Sequence, residues 1–470
     1  MFFMVNVCWD CNFNCKYCYQ HNKQANKVIK VETFKKLLDF VFSDNYDKIF
    51  GLKDKRCGNE PYGLFFHGGE VLLHIQEIEQ MTELFLNAIK PYSNDLIEKP
   101  SIGIVTNGYA LSNPKVRAYI EKYADVLDMA YSIDGEQEIH DKNRLTLSGQ
   151  PTYATAWTNF LNRPRTHIER IKYTITESSI GHLDETLRKF SALDKSLRID
   201  PSYDETVSWE TLDKSILGDQ LDKIISWYIS QDKEWVASRR CFRTPVPDFM
   251  PQFMSKFLNT MVCRPMLLTL DIDGEILKCG RCSQLFHAGQ NTFSFGNINH
   301  PEDIDWSLVI KERYIGEDVL LSNNCKLSAP LFEDSDCYRC PIGNYCNTCP
   351  IDNKMKWNEY YDWNKTVCDV RAFFHLLDVF FHNYRYKIKK DLGKEINKKD
   401  DDDKIKNLYL PKVWALEFTS EAIYNYIADL TASVGGVVNN IDTKFFTPTQ
   451  VNTILEHLKT ERDKVEVNHE

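Results

Sequence analysis

The chain has 470 residues, of which 43% are hydrophobic and 26% charged, and its formal net charge is -10 at neutral pH. This composition is ordinary for a globular protein, and the length predicts two or three domains rather than one core. The negative charge argues against nucleic acid as the main partner. The sequence has no apolar run long enough to cross a bilayer and no signal peptide at its start. We therefore expect a cytoplasmic protein without a membrane partner.

The chain contains 15 cysteines. An odd count with C-x2-C spacings, in a chain without a signal peptide, indicates metal or cluster ligation rather than disulfides. Cys11, Cys15 and Cys18 share one short loop that directly follows an apolar stretch, residues 2–7, which predicts a buried strand. Thiolates bind soft metals and are the usual ligands of iron–sulfur clusters. Because zinc takes the same ligands, a zinc site is the alternative for this loop.

Strand and helix patterns alternate after this loop. Helices are predicted over residues 31–42, 75–89 and 184–193, and strands over residues 62–67, 101–106, 129–133, 170–176 and 197–199. Such alternation is typical of βα units around a parallel sheet. The predicted fold class is therefore α/β, with a partial (β/α)6 TIM-like barrel. Chemistry in such barrels takes place at the C-terminal ends of the strands, so the cysteine loop lies on the functional rim.

Three later strands of this barrel also end in short stretches suited to ligand binding. These stretches are Gly68-Gly69-Glu70, Thr106-Asn107-Gly108 and Ser132-Ile133-Asp134-Gly135. Glycines let a ligand approach the backbone, and Arg144, slightly further on, carries a guanidinium that binds carboxylates with two hydrogen bonds. A glycine triplet alone is more often a turn, and we interpret His140 with Asp141 as a hydrogen-bonded pair at a helix start. Together, four rim stretches predict one ligand site.

In this order the four stretches resemble the radical SAM superfamily, and the resemblance covers roughly residues 1–375. It implies that Cys11, Cys15 and Cys18 hold a [4Fe–4S] cluster whose fourth iron is chelated by S-adenosylmethionine (SAM). It also implies that Tyr17 lies over the adenine, that the Glu70 loop binds the amino group, and that Ser132 and Arg144 hold the carboxylate and ribose region. The implied SAM contacts are Tyr17, Gly68, Gly69, Glu70, Thr106, Asn107, Ser132, Asp134 and Arg144. Val71 stands where the family usually has proline.

A second group of cysteines follows in the middle of the chain. Residues 268–277, with Asp273-Gly274 at their centre, predict a β-hairpin between Cys263 and Cys279. The later pattern is Cys337-x2-Cys340-x5-Cys346-x2-Cys349, followed by Cys368. Two C-x2-C pairs this close are too tightly spaced for an ordinary zinc ribbon, which is the alternative. Cys8, Cys57 and Cys241 have no partner at ligand spacing and are predicted to be buried apolar residues.

This second group resembles the SPASM extension, which carries two auxiliary [4Fe–4S] clusters. By resemblance, the outer cluster takes Cys337, Cys340, Cys346 and Cys368, and the inner cluster takes Cys263, Cys279 and Cys349. Cys282 is the preferred fourth inner ligand, with Cys325 or an open site as alternatives. The family has three residues rather than two before the position of Cys349.

The predicted domains are a barrel over residues 1–235, an auxiliary cluster domain over 236–375 and a helical extension over 376–470. The extension contains a charged run at residues 387–406, which is typical of a solvated loop. A helical cap is the favoured role of this extension, and binding of a leader peptide is the alternative. The chain begins at the first strand, so leader recognition would otherwise need a separate protein.

The resemblance implies a peptide maturase. Reductive cleavage of SAM would give a 5′-deoxyadenosyl radical, which removes hydrogen from a ribosomally made peptide or protein to form a thioether, carbon–carbon or cyclophane crosslink. A flavodoxin or ferredoxin would donate the electron. Asp200, Tyr203 and Asp204, predicted to follow the sixth strand, are the candidate catalytic residues.

Two alternatives accompany this interpretation. One is a sulfatase-maturing enzyme, which in the family carries an aspartate base directly after the G-x4-C cysteine. This chain has Gly280 there, so that alternative ranks lower. The other is a non-catalytic iron–sulfur electron carrier or a zinc-stabilised interaction protein, neither of which needs the SAM motifs.

Overall fold

The computed structural model describes residues 2–18, 20, 27–43, 62–92, 99–194, 196–203, 212–213, 215–238, 267–280, 282–289, 294–306 and 309, with isolated residues between 370 and 394. The chain forms two compact units. The first consists of Met1–Tyr173, Val262–Leu327 and Cys349–Tyr361, and the second of the remaining segments. The predicted domain boundaries at residues 235 and 375 stay predictions. No helix in the described part of the chain is long and apolar enough to span a membrane.

The strands alternate with helices in the predicted order. The strands are β1 (Phe2–Cys8), β2 (Gly63–Gly68), β3 (Ser101–Thr106), β4 (Leu127–Ser132), β5 (Ile168–Ile175), β6 (Arg198–Tyr203), β7 (Leu267–Leu270), β8 (Glu275–Leu277) and β9 (Ser294–Asn297). The helices are α1 (Val31–Val41), α2 (Ile75–Ile89), α3 (Pro114–Lys122), α4 (Gln137–Asn143), α5 (Tyr153–Leu161), α6 (Leu183–Ser191), α7 (Ser215–Ile229), α8 (Lys233–Ser238) and α9 (Cys282–His287).

The first unit is built on one sheet. Its strands β1 to β5 lie side by side in chain order, and each pairs with the next in parallel. Parallel neighbours joined by helices are the arrangement that βα units produce. The α/β fold class and the parallel sheet predicted from the sequence are therefore confirmed. All four rim stretches lie at the C-terminal ends of these strands.

The side chains of β1 alternate between the two faces of this sheet. Phe3, Val5 and Val7 are fully buried, as expected for every second residue of a strand covered on one side by helices. The ring of Phe3 lies 6.0 Å from that of Phe42, just after α1, and 6.2 Å from that of Phe85 in α2. Apolar burial against the helices thus fixes which face of β1 points toward them.

The opposite side of the sheet is called the inner face, and it is defined by Met4 and Asn6 of β1 and by Phe65 and His67 of β2. The register pairs Met4 with Phe65 and Asn6 with His67, so these side chains lie side by side. Residue Thr269 of β7 pairs with Met4 on the other edge of β1. The inner face therefore crosses β7, β1 and β2 without interruption.

The predicted hairpin around Gly274 is present. Strands β7 and β8 are antiparallel, and Gly274 has a φ of +92°, which favours glycine. In addition, β7 pairs in parallel with β1, which the sequence did not predict. The start of the cysteine-rich middle therefore continues the sheet that carries the first cysteine loop.

Candidate active site

The cysteine loop follows β1 directly and is shaped by the segment after α4. The backbone N–H of Asn14 donates to the carbonyl of Leu145 at 2.8 Å, and that of Lys16 donates to the carbonyl of Asn143 at 3.0 Å. Phe13, between the first two cysteines, is fully buried. The loop therefore has a fixed course, and its three cysteines are half-buried thiols outside any disulfide.

The spacing of these thiols distinguishes a cluster from a single ion. A zinc ion binds each sulfur at about 2.3 Å, so its ligands must converge on one point. Within the described residues, the groups whose ligand atoms all lie within 4.8 Å of one another are Cys8–Asp10–His74 and His300–Glu302–Asp303. Cys11, Cys15 and Cys18 are not such a group. In a cubane each cysteine binds a different iron, so the loop fits an iron–sulfur cluster better than zinc.

The glycine stretch after β2 is attached to the cysteine loop through backbone hydrogen bonds. The N–H of Gly69 donates to the carbonyl of Cys8, and that of Glu70 to the carbonyl of Asp10, each at 3.0 Å. A Cβ at position 69 would lie 1.9 Å from the carbonyl oxygen of Asp10, so only glycine fits. His74 Nε2 also lies 2.8 Å from a carboxylate oxygen of Asp10. The two loops therefore form one surface.

Glu70 is the buried acid of this surface, with 1% of its area exposed. Its carboxylate accepts hydrogen bonds from the Thr106 hydroxyl at 2.8 Å, the Asn107 N–H at 2.7 Å and the Leu72 N–H at 3.3 Å. Burial raises the pKa of Glu70 to about 7, against the opposing effect of these hydrogen bonds. A carboxylate that is costly to ionise gains from a cation beside it. It gains in the same way from an N–H donor, and the amino group of SAM is one.

The Thr106-Asn107-Gly108 stretch holds Glu70 rather than acting alone. Besides its backbone bond to Glu70, Asn107 donates from its side-chain amide to the side-chain oxygen of Asn12, at 2.8 Å. The turn is completed by Gly108, whose φ is +78°. The end of β3 thus connects the buried carboxylate to the cysteine loop.

Asp134 and Arg144 form a buried ion pair at the end of β4. Arg144 Nε donates to one carboxylate oxygen of Asp134 at 2.9 Å and Nη2 to the other at 3.1 Å. Arg144 Nη1 lies 4.0 Å from the sulfur of Cys15, and the guanidinium lies 5.2 Å from the centre of the Tyr17 ring. The Tyr17 hydroxyl donates to Asp134, since burial raises the pKa of Tyr17 far above its usual range. Ser132, at the end of the same strand, is buried.

His140 and Asp141 hold the backbone around this pair. His140 Nδ1 accepts the N–H of Asp134 at 3.2 Å, and burial lowers the pKa of His140 to about 4, so the ring is neutral. Asp141 accepts the N–H groups of Thr152 and Tyr153 at the start of α5, each at 2.8 Å. These contacts agree with a hydrogen-bonded pair at a helix start.

The auxiliary cysteines are described in part. The sulfurs of Cys279 and Cys282 lie 3.4 Å apart, and Cys282 is buried. Asp200 and Tyr203 lie inside β6, in the second unit, rather than after the sixth strand as predicted. The remaining predicted residues lie outside the described residues, and they are Asp204, Cys263, Cys337, Cys340, Cys346, Cys349 and Cys368.

The sequence did not single out a set of polar residues on the inner face. Asn6 is 4% exposed although it stands in the apolar first strand, and it contacts both His67 and Asp271. The signal that could have identified this set is Asn6 itself, a polar residue inside a buried apolar run, because such a residue needs a hydrogen-bond partner. Cys8, predicted to be a buried apolar residue, is fully buried as expected.

No protein-family model matches the sequence. The chain is 29% identical over 116 residues to the radical SAM cyclopropyl synthase TigE of Paramaledivibacter caminithermalis, a match that covers 24% of this chain and 23% of that protein. It is 26% identical over 186 residues to the cysteine-type anaerobic sulfatase-maturating enzyme of Clostridium novyi, covering 39% of this chain and 46% of that enzyme. The chain thus matches less than half the length of either relative.

Among solved structures, native anSMEcpe with bound AdoMet is similar with a TM-score of 0.56 and 16% identity, over 83% of this chain and 100% of that one. Its complex with AdoMet and the Kp18Cys peptide has a TM-score of 0.53 and 17% identity, over 79% and 95%. The chain is thus similar in sequence to radical SAM enzymes over part of its length, and similar in fold to anSMEcpe. The resemblance inferred from its rim stretches is thereby confirmed, as is its fold.

Proposed function

We propose that this chain is a radical SAM enzyme that removes a hydrogen atom from a ribosomally made peptide or protein to form a crosslink. The carbon radical would bond to a second group that loses its proton, and the one electron left over would pass to an auxiliary iron–sulfur cluster. When bound, the cluster and SAM supply the 5′-deoxyadenosyl radical that this reaction needs. The observation that carries the proposal is Glu70, a buried carboxylate joined to the cysteine loop and surrounded by neutral donors. An electron carrier or a zinc-stabilised protein has no use for such a group.

The chain's own residues have distinct tasks in this proposal. Cys11, Cys15 and Cys18 hold the cluster, and Glu70 accepts a hydrogen bond from the amino group of SAM. Arg144 keeps a positive charge beside Cys15 while Asp134 fixes its orientation. The remaining proposed SAM contacts, at Tyr17, Gly68, Gly69, Thr106, Asn107 and Ser132, lie around these groups at the strand ends.

The peptide or protein substrate is supported by the relatives. One is called a sulfatase-maturating enzyme, and anSMEcpe has been solved with a bound peptide. The crosslink, whether thioether, carbon–carbon or cyclophane, is the finer part of the proposal. We also propose that a flavodoxin or ferredoxin donates the electron. Leader recognition is proposed for residues 376–470 or for a separate protein.

Sulfatase maturation is the second candidate, and Gly280 disfavours it. A Cβ at this position would lie 2.5 Å from the sulfur of Met4 and 3.3 Å from Nδ1 of His67. The aspartate base of the sulfatase-maturing family would therefore require the flexible Met4 side chain to move aside. A crosslinking reaction with another base fits this site better.

Two auxiliary clusters are also proposed. The inner one would take Cys263, Cys279, Cys282 and Cys349, and the outer one Cys337, Cys340, Cys346 and Cys368. The sulfurs of Cys279 and Cys282 lie 3.4 Å apart, so these two thiols can belong to one site, and the cluster assignment itself rests on the resemblance. The Asp200, Tyr203 and Asp204 group stays a proposal for substrate contacts in the second unit.

The test is anaerobic reconstitution with iron and sulfide, followed by SAM and a strong reductant. We expect about 12 irons per chain, for three cubanes, and release of 5′-deoxyadenosine. The matched control is a variant with Cys11, Cys15 and Cys18 all changed to alanine, which should lose about 4 irons and all SAM cleavage. No 5′-deoxyadenosine from fully loaded wild-type protein would overturn the proposal. Zinc in place of iron at the auxiliary sites would contradict only the proposed SPASM clusters and not the cluster at the first cysteine loop.

A further inference from the structure

Three side chains with metal-binding groups meet beside the cysteine loop, and the proposed reaction uses none of them. Cys8 ends β1, and Asp10 directly precedes Cys11. His74 ends the short turn that follows Glu70. A sulfur, a carboxylate oxygen and an imidazole nitrogen of Cys8, Asp10 and His74 all lie within 4.8 Å of one another. These three residues, called the Cys8 triad, therefore join two loops of the rim.

The sulfur of the triad lies next to an irregularity in β1. Asn6 pairs with His67 and Cys8 pairs with Gly68, so two residues of β1 oppose one residue of β2 at this point. A bulge of this kind bends the strand and changes the direction of the side chains beside it. Gly68 contributes no side chain next to the sulfur, where a Cβ would lie 3.4 Å away.

The triad has a buried base and a partly exposed entrance. Cys8 is fully buried, whereas the side chains of His74 and Asp10 are 16% and 21% exposed, with His74 Nε2 2.8 Å from Asp10 Oδ1. An ion pair accounts for Asp10 and His74, but it does not need a sulfur at the same point. Within the described residues, the Cys8 thiol makes a long hydrogen bond, at 3.7 Å, to the carbonyl of Asp10. A small ion could reach the sulfur between the two partly exposed side chains.

Negative charge surrounds the sulfur. Burial raises the pKa of the Cys8 thiol, and the nearby charges of Asp10 and Glu70 raise it further. An electrostatic potential that opposes the loss of a proton favours the approach of a cation. A divalent ion would take the place of that proton, because metal ions deprotonate the thiols that they bind.

The three donor types select the kind of ion. Calcium and magnesium prefer oxygen ligands, whereas a thiolate, an imidazole and a carboxylate together suit zinc. Zinc binds sulfur at about 2.3 Å and nitrogen or oxygen at about 2.0–2.2 Å, so the ligand atoms of a tetrahedral site lie about 3.3–3.8 Å apart. The 2.8 Å between His74 and Asp10 must therefore widen by about 0.5 Å. Small rotations of two partly exposed side chains suffice for this change.

We propose that Cys8, Asp10 and His74 bind one zinc ion, separate from the iron–sulfur sites, with water as the fourth ligand. Asp10 belongs to the start of the cysteine loop, and His74 belongs to the turn after Glu70. The ion would therefore connect the two loops that form the SAM site. Its role in this scheme is structural, and no step of the reaction passes through it.

The experiment measures zinc bound by the full chain after its iron–sulfur clusters have been reconstituted. Wild type, Cys8→Ser and His74→Gln are dialysed anaerobically against zinc chloride, and bound zinc and iron are counted by mass spectrometry. His182→Gln, at an exposed histidine of the second unit, is the control. We expect about one zinc per chain in wild type and in the control. Loss of a direct ligand should weaken zinc binding by more than about 100-fold, since even outer-shell changes cost 10–100-fold.

The ligands of the bound zinc distinguish this site from the other cysteines. X-ray absorption at the zinc edge should show about one sulfur, at about 2.3 Å, with about three nitrogen or oxygen ligands. Three or four sulfur ligands would assign the zinc to the middle cysteines and overturn the proposal. No bound zinc in wild type, or an unchanged zinc content in His74→Gln, would also overturn it.

A second readout uses stability and does not depend on whether Cys8→Ser folds. Zinc that binds the native triad should raise the urea midpoint of wild type and of His182→Gln, but not that of His74→Gln. An equal rise in all three proteins would contradict the proposal. Neither readout involves SAM cleavage, so absence of 5′-deoxyadenosine would count against the proposed function and not against the zinc site.

Discussion

Glu70 and Asp134 are two acids of the same rim, and each has 1% of its area exposed. Asp134 is held by two hydrogen bonds from the Arg144 guanidinium, at 2.9 and 3.1 Å. Glu70 accepts from a hydroxyl and from backbone N–H groups, and burial raises its pKa to about 7. A buried charge that is neutralised within the chain supports the site. A buried charge that meets neutral donors is suited to bind a cation from outside.

This difference assigns the two acids separate roles although both were predicted as SAM contacts. The fork of Arg144 is occupied by Asp134, so the guanidinium is oriented before any ligand arrives. Contact of Asp134 with SAM itself stays a prediction.

The largest expected effect comes from breaking the ion pair. Asp134→Asn leaves the Arg144 charge buried without its partner and should lower the free energy of unfolding by about 3–5 kcal/mol. Glu70→Gln breaks no direct ion pair, but its N–H₂ group must face one of the three donors around this side chain, so it should lower the free energy of unfolding by about 1–3 kcal/mol. Urea unfolding of the cluster-free protein at neutral pH measures both, with Asp125→Asn at a surface carboxylate that is 90% exposed as control. Equal losses of unfolding free energy in Asp134→Asn and Glu70→Gln would contradict the different roles given to the two acids.

A smaller effect is expected where Glu70 is attached to the cysteine loop. In Gly69→Ala the new Cβ would lie 1.9 Å from the Asp10 carbonyl oxygen, so the loops must separate, at a cost of about 1–3 kcal/mol in unfolding free energy. SAM affinity should fall too, while the Asp134–Arg144 pair stays intact. Gly181→Ala, whose Cβ would meet Ile216 at an ordinary 3.7 Å, is the control. Stability equal to that control would show that the two loops are not held together at Gly69.

The pH dependence of SAM binding tests Glu70 directly. Its pKa of about 7 means that the carboxylate is protonated below neutrality, and a protonated acid is a weaker acceptor for the N–H groups of SAM. Affinity of the reconstituted enzyme should therefore fall about tenfold from pH 8 to pH 6, measured by anaerobic equilibrium dialysis. Glu70→Gln should bind weakly at both values. The same pH slope in that variant would assign the titration to another group.

The smallest effect on the free energy of unfolding is expected for Tyr17, at the edge of the Asp134 site. Tyr17→Phe removes one hydrogen bond to Asp134 but leaves the Arg144 contacts, so the loss of unfolding free energy should be about 1 kcal/mol. Tyr109→Phe, at a half-exposed ring, is the control in the same urea experiment. A loss as large as that of Asp134→Asn would mean that Tyr17, rather than Arg144, stabilises the carboxylate.

Local patterns in the sequence predicted much of this fold. Helix α2 begins and ends where its apolar periodicity does, at Ile75 and Ile89, because a long amphipathic stretch fixes its own boundaries. The sixth strand was predicted over residues 197–199, whereas β6 runs from Arg198 to Tyr203 and includes Pro201, a residue that is rare inside strands.

Partners distant in sequence could not be predicted in the same way. Asn6 and Asp271 are 265 positions apart, and strand periodicity tells which face a residue occupies but not which strand lies beside it. The motif order located the rim, whereas the pairing of Asp134 with Arg144 and of Asn6 with His67 required the structure.

The backbone hydrogen bonds between the cysteine loop and residues 143–145 also affect how the protein acquires its cluster. A zinc finger folds only when its metal arrives, because the metal organises the loop. Here backbone hydrogen bonds contribute to the shape of the loop, so we expect part of that shape to be kept without iron. The factors that deliver iron–sulfur clusters would then bind a protein whose cysteine loop is already partly shaped. Iron starvation should therefore silence the protein without shortening its lifetime.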